Sequence, residues 1–301
     1  MKLVTAEIKG KSFVGIVKED LTGILPLNDV EEKRSGERFF SDTLIGCIEQ
    51  KDFLVKVNSL LSWVQDQNRE EELYLSIEQV KILAPIPRPK KNIFCVGKNY
   101  AEHAIEMGSK EDIPEHVMVF TKSPTTVIGN KEYILQHQEV TDQLDYEGEL
   151  AVIIGKRGKT ISEEEALEYV FGYTIINDIT ARDLQARHKQ FFIGKSLDTS
   201  APMGPWVVTK DSIANPNELE ITTKVNGEIR QHSNTNHFIF PVEEIISVLS
   251  KGMTLEPGDI IATGTPAGVG KGFKPPRYLK AGDTIEIEVE GIGTLLNTVK
   301  E

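Results

Sequence analysis

"LDYEGELAVIIG", residues 144 to 155, and "GYTIINDITARD", residues 172 to 183, are the two stretches whose reading decides the fold. Each contains a short β-branched and aliphatic run without a polar break, as expected of a strand covered on both faces. Each also carries acid at one end. Glu147 and Glu149 flank Gly148 where the first strand begins, and Asp178 closes the second. Residues i and i+2 of a strand point to the same face, so Glu147 and Glu149 stand side by side. A solvated strand end would explain the two glutamates by themselves. A third carboxylate in a similar setting changes the balance, because buried acids repel one another unless a cation neutralises them. Three oxygen donors on two strand ends make a site for a hard ion, Mg²⁺ or Mn²⁺. Zn²⁺ is disfavoured, since no Cys or His stands at ligand spacing.

Outward from these strands the chain is strand-rich. "NIFCVG", "VMVF" and "PWVVT" are short runs of β-formers, "ITTKVNGEIRQ" is a hairpin about an Asn-Gly turn, and "DIIATG" and "DTIEIEVEG" each follow a Gly-Asp turn. Helices are expected in "SEEEALEYVFG" (162 to 172), which opens with Ser162 and Glu165 in capping-box spacing, and in "PVEEIISVLSKG" (241 to 252). The first 80 or so residues read as a hairpin about "KGK", followed by helix across "DTLIGCIEQKDFLVKVNSLLSWVQD". Pro85, Pro87 and Pro89 alternate in "APIPRPKKN", a run that cannot be helical. A boundary placed there divides the chain into an accessory domain, 1–84, and a larger domain, 85–301. The predicted class is α+β with strands dominant.

The 301 residues suffice for a sizeable core, and 34 Lys and Arg against 46 Asp and Glu leave a net charge of −12. Such a balance repels nucleic acid and anionic membrane surfaces. No run approaches the roughly 18 apolar residues of a membrane span. The two cysteines, Cys47 and Cys95, are far apart, which fits a reducing cytoplasm rather than a disulfide framework.

Three other features bear chemistry. In "GKNYAEHAIEMG", His103 and Glu106 are three apart and share a helix face, so the carboxylate can orient the imidazole and raise its basicity. A surface pair of little consequence is the plainer reading. The polar "SKEDIPEH" that follows suggests a mobile lid. Around Asp178 polar groups continue through Arg182 and Gln185, and the apolar "QFFIGKS" can bury Lys195 beside the acids, where it would hold a substrate carboxylate or a developing oxyanion. "GTPAGVGKG", 264 to 272, resembles a phosphate loop, but its glycine spacing is one residue too long and Gly272 replaces the magnesium-binding Ser or Thr, so a tight turn is the better description.

Taken in order, "GKNYAEHAIE", "DYEGELAVIIGK", "GYTIINDITARDLQ", "GKSLDTSAPMGP", "VNGEIRQ" and "IIATGTPAGVG" resemble the signature segments of the fumarylacetoacetate hydrolase (FAH) family. The resemblance covers roughly residues 90 to 298. It looks closest to the bacterial acylpyruvate hydrolases, oxaloacetate decarboxylases and hydroxyheptadienedioate isomerases. It implies a roll of mixed β-sheets around the site, one Mg²⁺ or Mn²⁺ per subunit and a homodimer. Matched position by position, the metal ligands are Glu147, Glu149 and Asp178 and the lid pair is His103 and Glu106. Lys195 is the lysine of the "GKS" segment, while Arg182, Gln185 and Thr265 fall on substrate-binding positions.

An ion so held can chelate a small 2-oxo acid and stabilise the enolate left when its C3–C4 bond breaks. Oxaloacetate decarboxylation is the expected reaction, because several nearby groups suit a second carboxylate. Acylpyruvate hydrolysis, with His103 and Glu106 activating water, is the alternative. Isomerisation of a diene-dioate or tautomerisation of oxaloacetate would need only proton transfer. A non-catalytic metabolite-binding or partner-binding module is the reading from another class.

Overall fold

In a computed structural model, residues 1–67 and 70–301 are described. The strand Gly148–Ile154 is buried along its whole length and pairs antiparallel with Val170–Asn177, Gly148 opposite Asn177 and Glu149 opposite Ile176. These two strands sit near the middle of a twelve-stranded sheet. Beyond Gly148–Ile154 the sheet continues through Ile260–Ala262, Ile93–Gly97 and Met118–Lys122; beyond Val170–Asn177 lie Ala201–Thr209, Lys2–Ile8, Lys11–Val17, Gly23–Pro26 and Leu75–Ser76. A second sheet of five strands is built from Glu228–Asn234, Glu220–Val225, Thr284–Val289, Gly293–Lys300 and Tyr133–Leu135. Most neighbours are antiparallel, but Ile260–Ala262 runs parallel to Ile93–Gly97, and Gly293–Lys300 parallel to Tyr133–Leu135. The protein is thus a strand-rich mixed α/β fold.

The uninterrupted apolar run of "ELAVIIG" follows from cover on both faces. Leu150, Val152 and Ile154 pack in one cluster with Ile221, Ile287 and Leu295 of the five-stranded sheet. Ala151 and Ile153 belong to the other cluster, with Phe53, Val57 and Leu60 of a helix, Phe53–Gln65. Glu147 and Glu149 continue the row of Ala151 and Ile153. Gly148 continues the row of Leu150, and a Cβ there would lie 2.2 Å from Thr223 Oγ1. The glycine between the acids therefore permits a close approach of the second sheet to the first.

The hairpins form as their turns dictate. Lys9 and Gly10 have φ of 50° and 77°, and Asn226 and Gly227 φ of 53° and 79°, the left-handed pairs of type I′ turns. Two helical expectations change. The apolar spacing across 42–66 is realised as two helices, Leu44–Glu49 and Phe53–Gln65, with the chain extended at Gln50. The segment from Ser162 makes only a short helix, Glu163–Ala166, and a 3₁₀ turn, because Val170 and Phe171 are taken into the central sheet. No helix among the described residues is long and apolar enough to cross a membrane.

The first strand, Lys2–Ile8, pairs with Ala201–Thr209, Leu3 opposite Val207. Residues 1–84 therefore share a hydrogen-bonded sheet with the remainder, and Leu3 is fully buried. Leu3→Ala is expected to cost about 2–5 kcal/mol in urea unfolding and to move one transition common to the whole chain. A second transition left unshifted for residues 85–301 would show instead that the first 84 residues fold by themselves.

Candidate active site

Register brings the acids together. Glu149 stands opposite Ile176 on the neighbouring strand, and Asp178 follows two residues later, its N–H donating to the Glu147 carbonyl at 2.8 Å. Carboxylate oxygens of Glu147, Glu149 and Asp178 all lie within 4.8 Å of one another, and all three residues are buried. An oxygen-only set of this kind fits Mg²⁺ or Mn²⁺.

Cations reach the acids from three further elements. The Lys195 ammonium, at the end of the helical turn Phe192–Lys195, is 2.7 Å from both Glu147 Oε2 and Asp178 Oδ2. Lys122 ends the edge strand Met118–Lys122, and its ammonium lies 2.8 Å from Asp178 Oδ1 while donating to the Ile179 carbonyl at 2.9 Å. Arg182 opens the helix Arg182–His188; its Nη1 is 2.7 Å from Glu147 Oε1, and its Nε donates to Asp145 Oδ2 at 2.8 Å. Burial alone would raise the Glu147 carboxyl, but the fields of Lys195 and Arg182 outweigh it and bring it down to about 2. Glu149 goes the other way. Burial, then the charges of Asp178 and Glu147, hold it well above the usual carboxylate range, against one amide bond from Gly264 N at 2.8 Å. Among these acids the one whose charge is held back is thus the one with no ion pair among the described residues, which is what a cation at this place would relieve.

The glycine-rich segment is a turn, and its amides point at carboxylates. Besides Gly264, Gly268 N donates to Glu106 at 2.9 and 3.1 Å, Gly270 N to Asp145 at 2.7 Å, and Lys271 N to Asp145 at 3.0 Å. Gly264 and Gly268 have φ of 101° and 105°, and a Cβ on Gly268 would fall 1.9 Å from the Arg230 carbonyl oxygen, so no other residue fits. Thr265 is held by donating to the Gly148 carbonyl at 2.9 Å and accepting from Gln231 Nε2 at 2.7 Å.

His103 and Glu106 lie on the helix Ala101–Met107. The imidazole is 5 % exposed, with Nδ1 3.4 Å from Glu106 Oε2, so this is not a solvated surface pair. The following 109–112 turn is fixed by a capping box of Ser109 and Asp112 and by an ion pair from Lys98 to Asp112 at 2.9 Å. One cavity of about 200 Å³ is lined by His103, Glu147, Glu149, Arg182, Lys195 and Thr265, with Gln185 also on its wall. Gln185 accepts from Arg182 Nη1 at 3.3 Å. Every residue singled out in the sequence except Asp178 and Glu106 lines this cavity, and those two touch residues that do. Asp145 and Lys122 were not anticipated. Asp145 continues the alternation of Glu147 and Glu149, a signal present in the sequence; Lys122 ends an ordinary polar-flanked strand and gave none.

Comparison with known proteins agrees with this arrangement. Residues 92–300 match the family described as fumarylacetoacetate (FAA) hydrolase C-terminal. The chain is 55 % identical over 301 residues, 99 % of its length and 100 % of the relative's, to the oxaloacetate tautomerase YisK of Bacillus subtilis. It superposes with a TM-score of 0.82 and 41 % identity on a fumarylacetoacetate hydrolase from Exiguobacterium antarcticum, covering 100 % of this chain and 99 % of the other. A 2-hydroxyhepta-2,4-diene-1,7-dioate isomerase from Mycobacterium marinum gives a TM-score of 0.73 at 32 % identity, covering 100 % and 98 %. With the family match spanning residues 92–300 and relatives aligned from end to end, this chain belongs to the fumarylacetoacetate hydrolase family.

Proposed function

We propose that the protein interconverts the enol and keto forms of oxaloacetate in a divalent-metal-dependent reaction. The observation that carries this reading is that one small cavity is shared by Glu147, Glu149 and His103, with the Asp178 carboxylate grouped against the two glutamates. When bound at Glu147, Glu149 and Asp178, Mg²⁺ or Mn²⁺ would supply Lewis-acid stabilisation of negative charge on the 2-oxo oxygen. The chain's own residues do the rest. His103, aligned by Glu106, moves the proton to and from C3; Arg182 and Lys195 supply positive charge for the substrate carboxylates; Thr265 and Gln185 shape the wall. Drug-sized pockets are commonly roughly 300–1,000 Å³, so a cavity of about 200 Å³ suits a four-carbon acid.

The leaning toward decarboxylation in the sequence rested on groups for a second carboxylate. Those groups serve either reaction, and similarity to a protein named for oxaloacetate tautomerisation favours proton transfer alone. Decarboxylation would also break the C3–C4 bond, releasing CO₂ and leaving pyruvate, and the assay separates the two: decay of the enol's ultraviolet absorbance is followed while pyruvate is measured with lactate dehydrogenase.

His103→Ala should lower the tautomerisation kcat by about 10²–10⁴-fold while leaving Mn²⁺ affinity within a factor of two. Enol decay that keeps its rate in this variant would remove His103 from the reaction, and pyruvate formed at the rate of enol loss would make the protein a decarboxylase. Mn²⁺ titration followed by calorimetry should give one site per chain. Glu149→Gln is expected to weaken it by more than the roughly 10–100-fold typical of changes behind the ligands themselves, with an unchanged circular dichroism spectrum. Equal Mn²⁺ affinity in wild type and variant would rule out Glu149 as a ligand.

A further inference from the structure

Four cations line the cavity: Lys98, Arg182, Lys195 and Lys271. Three of them are committed. Lys98 is paired with Asp112 at 2.9 Å, Arg182 with Asp145 and Glu147, and Lys195 with Glu147 and Asp178. Lys271 has no acid within ion-pair distance of its ammonium among the described residues. Its backbone is nevertheless fixed. Lys271 N donates to Asp145 Oδ2, the same oxygen that accepts from Arg182 Nε, and Gly270 N donates to Asp145 Oδ1. One buried carboxylate therefore sets the guanidinium of Arg182 and the root of Lys271 in register with each other. The Arg182 side chain is 1 % exposed, yet its Nη2 has no hydrogen-bond partner, an expensive state for a buried donor. Burial, and next the neighbouring Arg182 charge, push the Lys271 ammonium down, against an opposing pull from Asp145. Two cations of like sign held near one another, one with an unfilled donor and one without a counter-ion, call for an anion between them.

We propose that Lys271 is a specificity-determining residue that, with Arg182, receives a second carboxylate of the substrate and so selects 2-oxo dicarboxylates over 2-oxo monocarboxylates. This rests on the reading of the cavity as a 2-oxo acid site and adds which member of that class it prefers. Lys271 takes no part in proton transfer; it holds the end of the substrate remote from the metal ligands.

The test uses Mn²⁺-loaded protein and two non-tautomerising probes, 3,3-difluoro-oxaloacetate and its C4 methyl ester, which differ in the remote charge. Affinities are measured by calorimetry for wild type, Lys271→Met and Lys271→Arg, with oxaloacetate turnover recorded in parallel. A charge-assisted contact of an exposed lysine that lines the cavity corresponds to about tenfold in affinity. Wild type should therefore prefer the dianion by about that factor, Lys271→Met should lose the preference while binding the ester within twofold of wild type, and Lys271→Arg should retain it. Failure of wild type to bind the dianion, loss of both probes to the same extent in Lys271→Met, or no change in either would overturn the inference. Should wild type leave oxaloacetate unchanged while the charge preference follows Lys271, the proposed reaction falls and the carboxylate subsite stands.

Discussion

Charge balance in a dry place is the constraint on which the rest of the molecule depends. Four buried acids, Asp145, Glu147, Glu149 and Asp178, face three buried bases, Lys122, Arg182 and Lys195. Each alone would be costly to bury, and all but Glu149 are matched by an opposite charge at 2.7 to 2.8 Å. The central sheet fixes this arrangement. A slip of one residue in the pairing of Gly148–Ile154 would turn Glu147 and Glu149 toward the five-stranded sheet and Leu150 away from it, so the packing of Leu150, Val152 and Ile154 fixes the chemistry as firmly as it fixes the fold. Four acids face three bases, and Glu149, favoured in its ionised form by the Lys195 charge and the Gly264 amide, is the acid with no ion pair among the described residues.

The glycine-rich turn shows why a resemblance to a phosphate loop is not accidental in physical terms. Both present consecutive backbone N–H groups to oxygen anions, and both need glycine where the backbone must come close. Here the anions are the protein's own carboxylates, Glu149, Glu106 and Asp145, and the turn fastens the strand bearing Glu149, the helix bearing His103 and, through Asp145, the guanidinium of Arg182 to one segment. Thr265 inside it is likewise engaged by Gly148 and Gln231, so the wall of the cavity is built before any ligand arrives.

Legibility in the sequence followed how local each signal was. The strands bearing the three acids could be read from apolar runs, and the hairpins from their turns, because period and turn chemistry are properties of a few neighbouring residues. Lys122 could not be found, since a lysine closing a strand is ordinarily solvated. Only the arrival of Asp178 from 56 positions further on makes it a buried ion partner. The helical reading through Gly172 failed for a related reason: Val170 and Phe171 favour the sheet once a partner strand is offered, and Val170 finds its partner in Ile154, on the strand Gly148–Ile154 that precedes the helix. The first strand's place beside Ala201–Thr209 is equally non-local, which is why proline spacing suggested a division that the hydrogen bonds cross.

Glu106 holds two partners at once. It faces the His103 imidazole and accepts the Gly268 amide. The carboxylate that aligns the base is thus the same group that docks its helix against the glycine turn. Because His103 and Glu106 ride on the same helix, lifting it would break the Gly268 contact and leave the His103–Glu106 pair intact, so the pair would move as one preassembled unit.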